Sequence, residues 1–457
     1  MKHILVISAR ETFAALKEIL SKLPVRQTLL EPERGALPAD KDQFAGPWDL
    51  VIFDCGEVLK SENDRIPPCW EEYISKFEGP VLFVSPWRSI QVIDEAFRLG
   101  ADDFAVKPFQ IRELLLRVNA LLEKRSRIVC IGGGTGLFTV LTGLKTLPHV
   151  HLSSIVSMSD SGGSSGRLRM SFGMLPPGDV RRSLVALSNA PELMNRVLQY
   201  RFKRGDELEG HNFGNLFLAA LSEITGSMPD AIRVLSDILN IQGIVIPASC
   251  DLTNLVAEFE DGSVVKEEKE ISECKNRNPA LKIRKVYHKP STSCNPDAYA
   301  AILFAHQILI GPGDLYTSII ANFAIQGVPE ALRKTKAGKV YIVNVMTKPG
   351  ETMDYFAEDH VREIQKYLGG DCLDHVLVSS SFVPAERLGK YRALNQRPVI
   401  VRDERTLHKM TKAKIVSVDI VSDSLLVRHD PEKLKVEIEK IVSHRSKHGH
   451  ADREQKS

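Results

Sequence analysis

The stretch RIVCIGGGTGLFTVLTGLK, residues 127–145, decides how this chain folds. Arg127–Ile131 is a short β-branched run typical of a buried parallel strand, and apolar residues recur at helical spacing from Leu137 onward. Between them lie Gly132, Gly133, Gly134, Thr135 and Gly136. A strand, a glycine turn and a helix in this order direct free backbone N–H groups and the positive helix end at a phosphate. The stretch therefore predicts a phosphate-binding turn, with a purely structural tight turn as the alternative.

A second predicted strand, Leu152–Met158, follows at the distance expected of a βαβ unit, and Asp160 lies just beyond it, where an acid could bind a ribose. Behind it, Ser161–Arg167 combines glycine, serine and arginine, which suits further anionic oxygens. The dinucleotide fingerprint G-x-G-x-x-G is not met, because its third glycine would fall at Leu137 or Thr139. This disfavours a nicotinamide dehydrogenase and favours a nucleotide with an extended phosphate-linked substituent.

Composition limits the class of protein. With 457 residues, 43% of them hydrophobic and 26% charged, the chain can form two domains that each bury a core. A net charge of +2 indicates no nucleic-acid partner. The seven cysteines show no C-x-x-C spacing, so core thiols in a reducing compartment are expected rather than zinc sites or disulfides. We recognise no signal peptide and no apolar run that would span a bilayer, and expect a cytoplasmic protein without a membrane partner.

Three predicted strands near the beginning of the chain each lead to a polar residue. These residues are Asp54, Ser85 and Lys107, the last of which precedes a proline. In a doubly wound sheet their side chains would converge on one edge. This order resembles a response-regulator receiver domain over residues 1–124. The resemblance implies that Asp54 is the phospho-acceptor, Ser85 the switch hydroxyl and Lys107 the lysine that contacts the phosphate.

The receiver resemblance is incomplete after the first strand. Ser8 and Ala9 stand where the family has a pair of acids, and those acids hold the magnesium that makes phosphorylation of Asp54 feasible. Without them a hard cation has too few oxygen ligands. We therefore expect Asp54 to take up little phosphate and the domain to be a docking or dimerisation module for an unidentified protein partner.

The whole chain is predicted to be α/β, with two doubly wound parallel-sheet domains. The first covers residues 1–124 and is receiver-like, or flavodoxin-like; the second covers 127–442 and is Rossmann-like. Within the second, Gln242–Ala298 is interpreted as a small β-rich excursion beside the main sheet and a candidate lid. No Gly/Ser linker separates the domains, so we expect them to be closely attached. Residues 443–457 are expected to form a disordered tail.

Two later segments carry further candidate ligand-binding residues. In GHNFGN, residues 210–215, the amides of Asn212 and Asn215 can each donate and accept, as binding to a base or sugar requires, although helix capping is the alternative. In GPGDLYTS, residues 311–318, Gly311 and Gly313 form a second backbone-presenting turn at a strand end. The turn can face the same crevice as the first glycine turn.

Together with NVMTKPGET, residues 344–352, these segments resemble the gluconeogenesis factor family. These bacterial proteins bind uridine-diphosphate sugars and are related to 2-phospho-L-lactate transferase. The resemblance extends from Ile128 to about Val442. It implies a regulatory protein that links central carbon metabolism to cell-envelope growth and cell shape. The chain departs from the family at Ser161, where a second acid usually follows Asp160.

The alternative is an enzyme that transfers a phosphate-linked group from a nucleotide donor to an acceptor hydroxyl. Such an enzyme would use Asp160 with a magnesium ion. A lone aspartate is a poor magnesium site, and no spacing indicates a Ser-His-Asp or Cys-His nucleophile. We therefore favour binding without turnover and assign no catalytic residue, metal or cofactor; Asp160 would be catalytic, with magnesium, only in the transferase alternative, and a homo-oligomer stays open. The predicted nucleotide-binding residues are Gly132, Gly133, Gly134, Thr135, Gly136, Asp160, Asn212, Asn215, Gly311 and Gly313.

Overall fold

The computed structural model describes residues 1–32, 46–59, 61–74, 76–275 and 277–454, without the side chains of Cys69 and of residues 444–454. The chain divides into two compact units. The first consists of Met1–Arg127 with His149–His151 and Tyr299–Phe304, and the second of the remaining residues from Ile128 onward. No helix in the described part of the chain is long and apolar enough to cross a membrane.

The first unit is a doubly wound α/β sheet. Its strands are β1 (Lys2–Ile7), β2 (Val25–Leu30), β3 (Leu50–Asp54), β4 (Val81–Ser85) and β5 (Asp103–Val106). Its helices are α1 (Arg10–Leu20), α2 (Pro68–Ile74), α3 (Ile90–Arg98) and α4 (Ile111–Leu122). The strands are parallel in the order β2-β1-β3-β4-β5. Buried residues of β1, β3 and β4 pack against α1 and α4, which explains why these strands are almost wholly apolar.

Strand β2 corrects one expectation for the first unit. The sequence predicts a loop or weak strand from Leu29 to Pro47, whereas β2 begins earlier and pairs with β1 along its whole length. Its sequence, VRQTLL, alternates between half-buried and exposed residues, as an edge strand does, so it lacks the apolar run that marks the central strands. Residues 33–45 of the predicted loop lie outside the described residues.

The second unit contains the larger sheet. Its strands are β6 (Ser126–Gly132), β7 (Val150–Val156), β8 (Ile244–Pro247), β9 (Asn254–Phe259), β10 (Val264–Lys266), β11 (Ile283–Lys289), β12 (Gln307–Ile310), β13 (Gly338–Ile342), β14 (His375–Ser379) and β15 (Lys414–Val418). Seven of them form a sheet in the order β15-β14-β13-β12-β6-β7-β8, in which the recorded registers are parallel. The predicted α/β class with two parallel sheets is confirmed.

The remaining helices lie between Gly134 and Glu454, and one of them, Pro296–Leu303, belongs to the first unit from Tyr299 onward. They are α5 (Gly134–Leu144), α6 (Gly163–Phe172), α7 (Gly178–Leu187), α8 (Glu192–Gln199), α9 (Phe213–Thr225), α10 (Met228–Ile238), α11 (Glu268–Glu273), α12 (Pro296–Leu303), α13 (Ala321–Phe323), α14 (Val328–Lys334), α15 (Ala357–Leu368), α16 (Ala385–Ala393), α17 (Glu404–Met410) and α18 (Pro431–Glu454). A π-helical segment, Leu315–Ile320, precedes α13.

The predicted β-rich excursion is a separate antiparallel sheet of order β10-β9-β11. The turn at Asp261–Gly262 joins β9 to β10, and Gly262 has φ of +84°, as the hairpin interpretation requires. At its beginning the predicted range is too wide, because β8 belongs to the main sheet. The short helix α11 lies between the second and third strands of this insertion.

The predicted disordered tail is corrected in part. Helix α18 continues to Glu454, so residues 443–454 are helical, and only 455–457 lie outside the described residues. The segment from Ser443 to Glu454 contains no proline, which is the residue that ends a helix most strongly. The helix started by the apolar residues before Val442 therefore meets no strong stop signal.

Candidate ligand-binding site

The two glycine turns lie side by side at the topological switch point of the larger sheet. Strand β6 leads to β7 on one side, whereas its other neighbour, β12, leads to β13 in the opposite direction. In the parallel register Ile310 is paired with Ile131, and the Gly311 N–H donates to the Ile131 carbonyl at 2.9 Å. Ligands of open α/β sheets bind at such a point, beyond the carboxyl ends of the strands. The expected position of both turns is therefore confirmed.

Backbone contact between the turns explains two of the glycines. A Cβ at Gly136 would lie 2.2 Å from the carbonyl oxygen of Pro312, so only glycine allows the first turn of α5 to meet the second loop. Gly134 has φ of +66°, a left-handed conformation that other residues rarely adopt. Its Cβ position has no neighbour closer than the Ser318 hydroxyl at 3.9 Å, so this side of the glycine faces open space.

That space is a cavity of about 280 Å³. Five predicted residues line it: Gly133, Gly134, Thr135, Asp160 and Gly313. Seven further residues line it that the sequence interpretation did not select: Ser157, Asp179, Arg182, Glu268, Asp314, Thr317 and Ser318. Asp314, Thr317 and Ser318 lie in the quoted segment GPGDLYTS, and Ser157 lies in the predicted strand Leu152–Met158, so the sequence carried a signal for these four. Glu268 lies on α11 of the insertion, and no motif indicates it.

The other five predicted residues are not on the cavity wall. Gly132, Gly136 and Gly311 lie in the two turns beneath it, where they shape the backbone. Asn212 is buried, caps α9 through its side-chain oxygen and accepts from the Asn215 N–H at 3.2 Å. The Asn215 side-chain oxygen accepts from Arg181 Nε at 2.9 Å. Both amides thus stabilise local structure, which was the alternative considered from the sequence.

Asp160 shapes the loop that follows β7. Its Oδ1 accepts from the Gly162 N–H at 2.9 Å, and a Cβ at Gly178 would lie 2.3 Å from its Oδ2. The second of these contacts shows why α7 begins with glycine. The expected glycine-serine loop is shorter than predicted, because α6 already begins at Gly163.

Ser161, the departure from the family pattern, has a structural contact of its own. Its hydroxyl accepts from the Lys269 N–H at 3.0 Å and so joins the loop after β7 to helix α11. An acid at this position would put a second charge beside Asp160. The serine instead fixes the insertion above the cavity.

Arg182 supplies the positive side chain of the cavity. Its Nη1 is 2.5 Å from Oδ1 of Asp179, one turn away on α7. Burial raises the pKa of Asp179 to about 6, although Arg182 works in the opposite direction. The ion pair with Asp179 therefore reduces the positive charge that Arg182 presents to an anion.

Glu351 positions the second loop from below. It is fully buried and accepts from the Thr317 hydroxyl at 3.0 Å and from the Tyr316 N–H at 3.2 Å. Lys348 pairs with Glu351 at 2.9 Å and also with Asp314. Burial lowers the pKa of Lys348, but the two carboxylates outweigh this and leave the pKa above its ordinary value. The positive charge of Lys348 is thus balanced by these two carboxylates within the protein.

Backbone N–H groups, hydroxyls and one arginine of the cavity can hold an anionic oxygen ligand, and four carboxyl groups, those of Asp160, Asp179, Glu268 and Asp314, line it as well. In the part of the chain that the structure describes, no three His, Cys, Asp or Glu side chains converge in a way that could hold a metal ion. The magnesium that a transferase would need therefore has no such ligand set among the described residues.

The predicted phosphorylation site of the first sheet is already occupied by protein groups. Asp54 Oδ2 is 2.7 Å from Lys107 Nζ, and Oδ1 accepts from the Gly56 N–H at 3.0 Å. The Ser85 hydroxyl accepts from the Trp87 N–H at 3.0 Å. The three strand-end side chains follow β3, β4 and β5, as expected, and whether Asp54 is phosphorylated stays a prediction.

Comparison with known proteins shows where this chain belongs. The family model of 2-phospho-L-lactate transferase CofD matches residues 128–421. A protein of Aquifex aeolicus (strain VF5) is 44% identical over 324 residues, which are 70% of this chain and 97% of that protein. The gluconeogenesis factor of Bacillus subtilis (strain 168) is 40% identical over 320 residues, 68% of this chain and 97% of that protein. A crystal structure of a UPF0052 family member from Bacillus halodurans, 40% identical, superimposes with a TM-score of 0.65 over 69% of this chain and 98% of that one.

Proposed function

Because the chain belongs to the gluconeogenesis factor family, with a domain of the 2-phospho-L-lactate transferase type over residues 128–421, we propose that its cavity binds a uridine-diphosphate sugar or a similar nucleotide. The observation that carries this proposal is the convergence of two backbone turns, at Gly133–Thr135 and at Gly313, on one cavity with an arginine in its wall. Backbone N–H groups at helix starts and a guanidinium suit the two phosphates. Asp160 can accept from a sugar hydroxyl.

In this proposal the protein is a cytoplasmic regulator without turnover. Bound nucleotide sugar would report the state of central carbon metabolism to the machinery of cell-envelope growth and cell shape. The receiver-like first unit would then dock a protein partner or a second copy of the chain. Support for docking rather than phosphoryl transfer comes from Ser8 and Ala9, which stand where the receiver resemblance implies magnesium-binding acids.

A second candidate is an enzyme that transfers a phosphate-linked group, favoured by the description of the matching family model. It would require Asp160 to act on the acceptor. The serine at position 161 and the missing metal ligand set among the described residues both count against it.

One experiment separates the two candidates. The purified protein is denatured, and any released nucleotide is identified by mass spectrometry. The refolded or ligand-free protein is then titrated with uridine-diphosphate sugars in a calorimeter. The proposal requires saturable binding of an intact sugar nucleotide, whereas conversion of a phosphate-linked donor in the presence of magnesium would support the transferase instead.

A further inference from the structure

The insertion places one carboxyl group against the cavity where the proposed phosphates would bind. Glu268, the first residue of α11, lines this cavity together with Gly133, Gly134 and Asp160. Among the described residues its carboxyl has no recorded hydrogen bond or ion pair, unlike Asp160 and Asp179. A partly buried acid without a partner, in a cavity built for anions, requires an explanation.

Helix α11 is held firmly enough to fix Glu268 there. The Lys269 N–H donates to the Ser161 hydroxyl at 3.0 Å, and Lys348 Nζ donates to the Ser272 hydroxyl at 2.5 Å. Both residues that flank the helix, Glu267 and Cys274, have positive φ, +74° and +52°. Such conformations persist only where the surrounding contacts impose them. The position of Glu268 is therefore imposed by the fold.

The charged groups around Glu268 come from every loop of the cavity. Asp160 follows β7, and Asp314 and Glu351 come from the loops after β12 and β13. Their negative charges oppose ionisation of Glu268, whereas Lys348 favours it. Across the cavity lie Asp179 and Arg182 of α7. Burial, followed by the charge of Asp160, raises the pKa of Glu268 to about 8. A bound phosphate would add another negative charge and raise that pKa further.

We propose that Glu268 takes part in ligand binding as a neutral carboxylic acid that donates a hydrogen bond to a phosphate oxygen, so that ligand binding and proton binding are linked. This inference rests on the proposed function, because it needs a phosphate in the cavity. An ionised carboxylate could only accept hydrogen bonds and would repel the ligand. The protonated form instead adds a donor to those supplied by the two turns.

The sign of the pH dependence follows directly. The protonated free protein binds the ligand, and the ionised free protein must first take up a proton. Affinity is therefore constant well below the pKa of the free protein and falls by about tenfold per pH unit above it. Asp179, whose pKa is raised to about 6, changes charge below this range. The diphosphate diester of the ligand has no titrating group in this range, and the uracil ring, which begins to ionise near its upper end, affects the parent and the variants alike.

The test is calorimetric titration with a uridine-diphosphate sugar between about pH 7 and about pH 9 for the parent and for Glu268→Gln. Glutamine is neutral and keeps an N–H donor. We expect Glu268→Gln to bind within about threefold of the parent at pH 7 and to remain constant where the parent weakens. Repeating the titration at about pH 8.5 in two buffers of different ionisation enthalpy should show uptake of most of one proton by the parent and none by the variant.

Glu270→Gln is the matched control, because Glu270 is exposed on the same helix and does not line this cavity. It should keep the pH dependence of the parent. Parallel pH profiles for the parent and Glu268→Gln, with clear binding by both, would overturn this inference alone. Absence of binding by the parent at every pH would instead overturn the proposed function and this inference with it. Thermal unfolding of each variant verifies that the protein is folded.

Discussion

The two sheets place polar groups at the same kind of edge, the carboxyl ends of parallel strands, but leave those groups in opposite states. In the first sheet both oxygens of Asp54 are engaged, by Lys107 and by Gly56. In the second, Gly134 faces open space, and Glu268 has no recorded partner among the described residues. Buried polar groups are normally satisfied. An unpaired acid beside a cavity therefore supports the proposed ligand site, whereas the pairing of Asp54 with Lys107 leaves its phosphorylation to be tested.

The largest expected effect tests whether the cavity at the edge of the second sheet is the binding site. Gly134→Val should reduce affinity for a uridine-diphosphate sugar by about a hundredfold or more, because the new side chain would project into the cavity. Calorimetry measures the loss. Gly226→Val is the control, since Gly226 also has positive φ, with open space around it, at the end of α9. It should bind normally despite the same kind of backbone strain, and normal binding by Gly134→Val would show that the ligand binds elsewhere.

The next effect concerns Asp160, an acid in the wall of the cavity. Asp160→Ala should cost roughly 1.5–3 kcal/mol of binding free energy, or about tenfold to a hundredfold in affinity, through loss of a charged hydrogen bond. Because Asp160 also accepts from the Gly162 N–H, Asp160→Asn is the matched variant that keeps an acceptor for the loop. Calorimetry of both should rank the affinities parent, then asparagine, then alanine. Equal affinities would remove Asp160 from the site.

A third experiment would restore the magnesium-binding acids that a receiver domain has beside Asp54. The parent should incorporate little phosphate from a small phosphodonor, whereas the double variant Ser8→Asp, Ala9→Asp should gain about tenfold or more in magnesium-dependent phosphorylation by restoring the oxygen ligands. Intact-mass spectrometry measures the product, and adding Asp54→Ala should abolish it. Stoichiometric, magnesium-dependent phosphorylation of the parent that is lost in Asp54→Ala would show that the edge is already active.

The smallest expected effect on ligand affinity is that of replacing the buried Asn212. Asn212→Ala removes the cap of α9 and should lower the free energy of unfolding by about 1 kcal/mol, while affinity for the sugar nucleotide stays within about twofold. Thermal unfolding and calorimetry measure the two quantities. A tenfold loss of affinity at unchanged stability would instead restore the interpretation of Asn212 as a ligand-binding residue.

Local patterns in the sequence determined much of this protein. The strand, glycine turn and helix from Arg127 to Leu144, and the second turn at Gly311–Gly313, were recognisable because each depends on neighbouring residues and on conformations that glycine favours. The parallel α/β class followed from the apolar strands. The edge strand β2 begins earlier than predicted and helix α18 ends later, because residues 25–28 and 443–454 lack the apolar pattern that marks the central strands and the core-facing helices.

The tertiary structure alone decided which polar residues face the cavity. Glu268 is separated from Gly134 by more than a hundred positions and reaches the cavity only because the antiparallel insertion packs over it. Asn212 and Asn215 lie in a polar motif, yet packing of α9 turns both amides inward. Whether a polar side chain is satisfied or left open depends on contacts between distant segments. Spacing along the chain specifies turns and strands, but these contacts exist only once the sheets have formed.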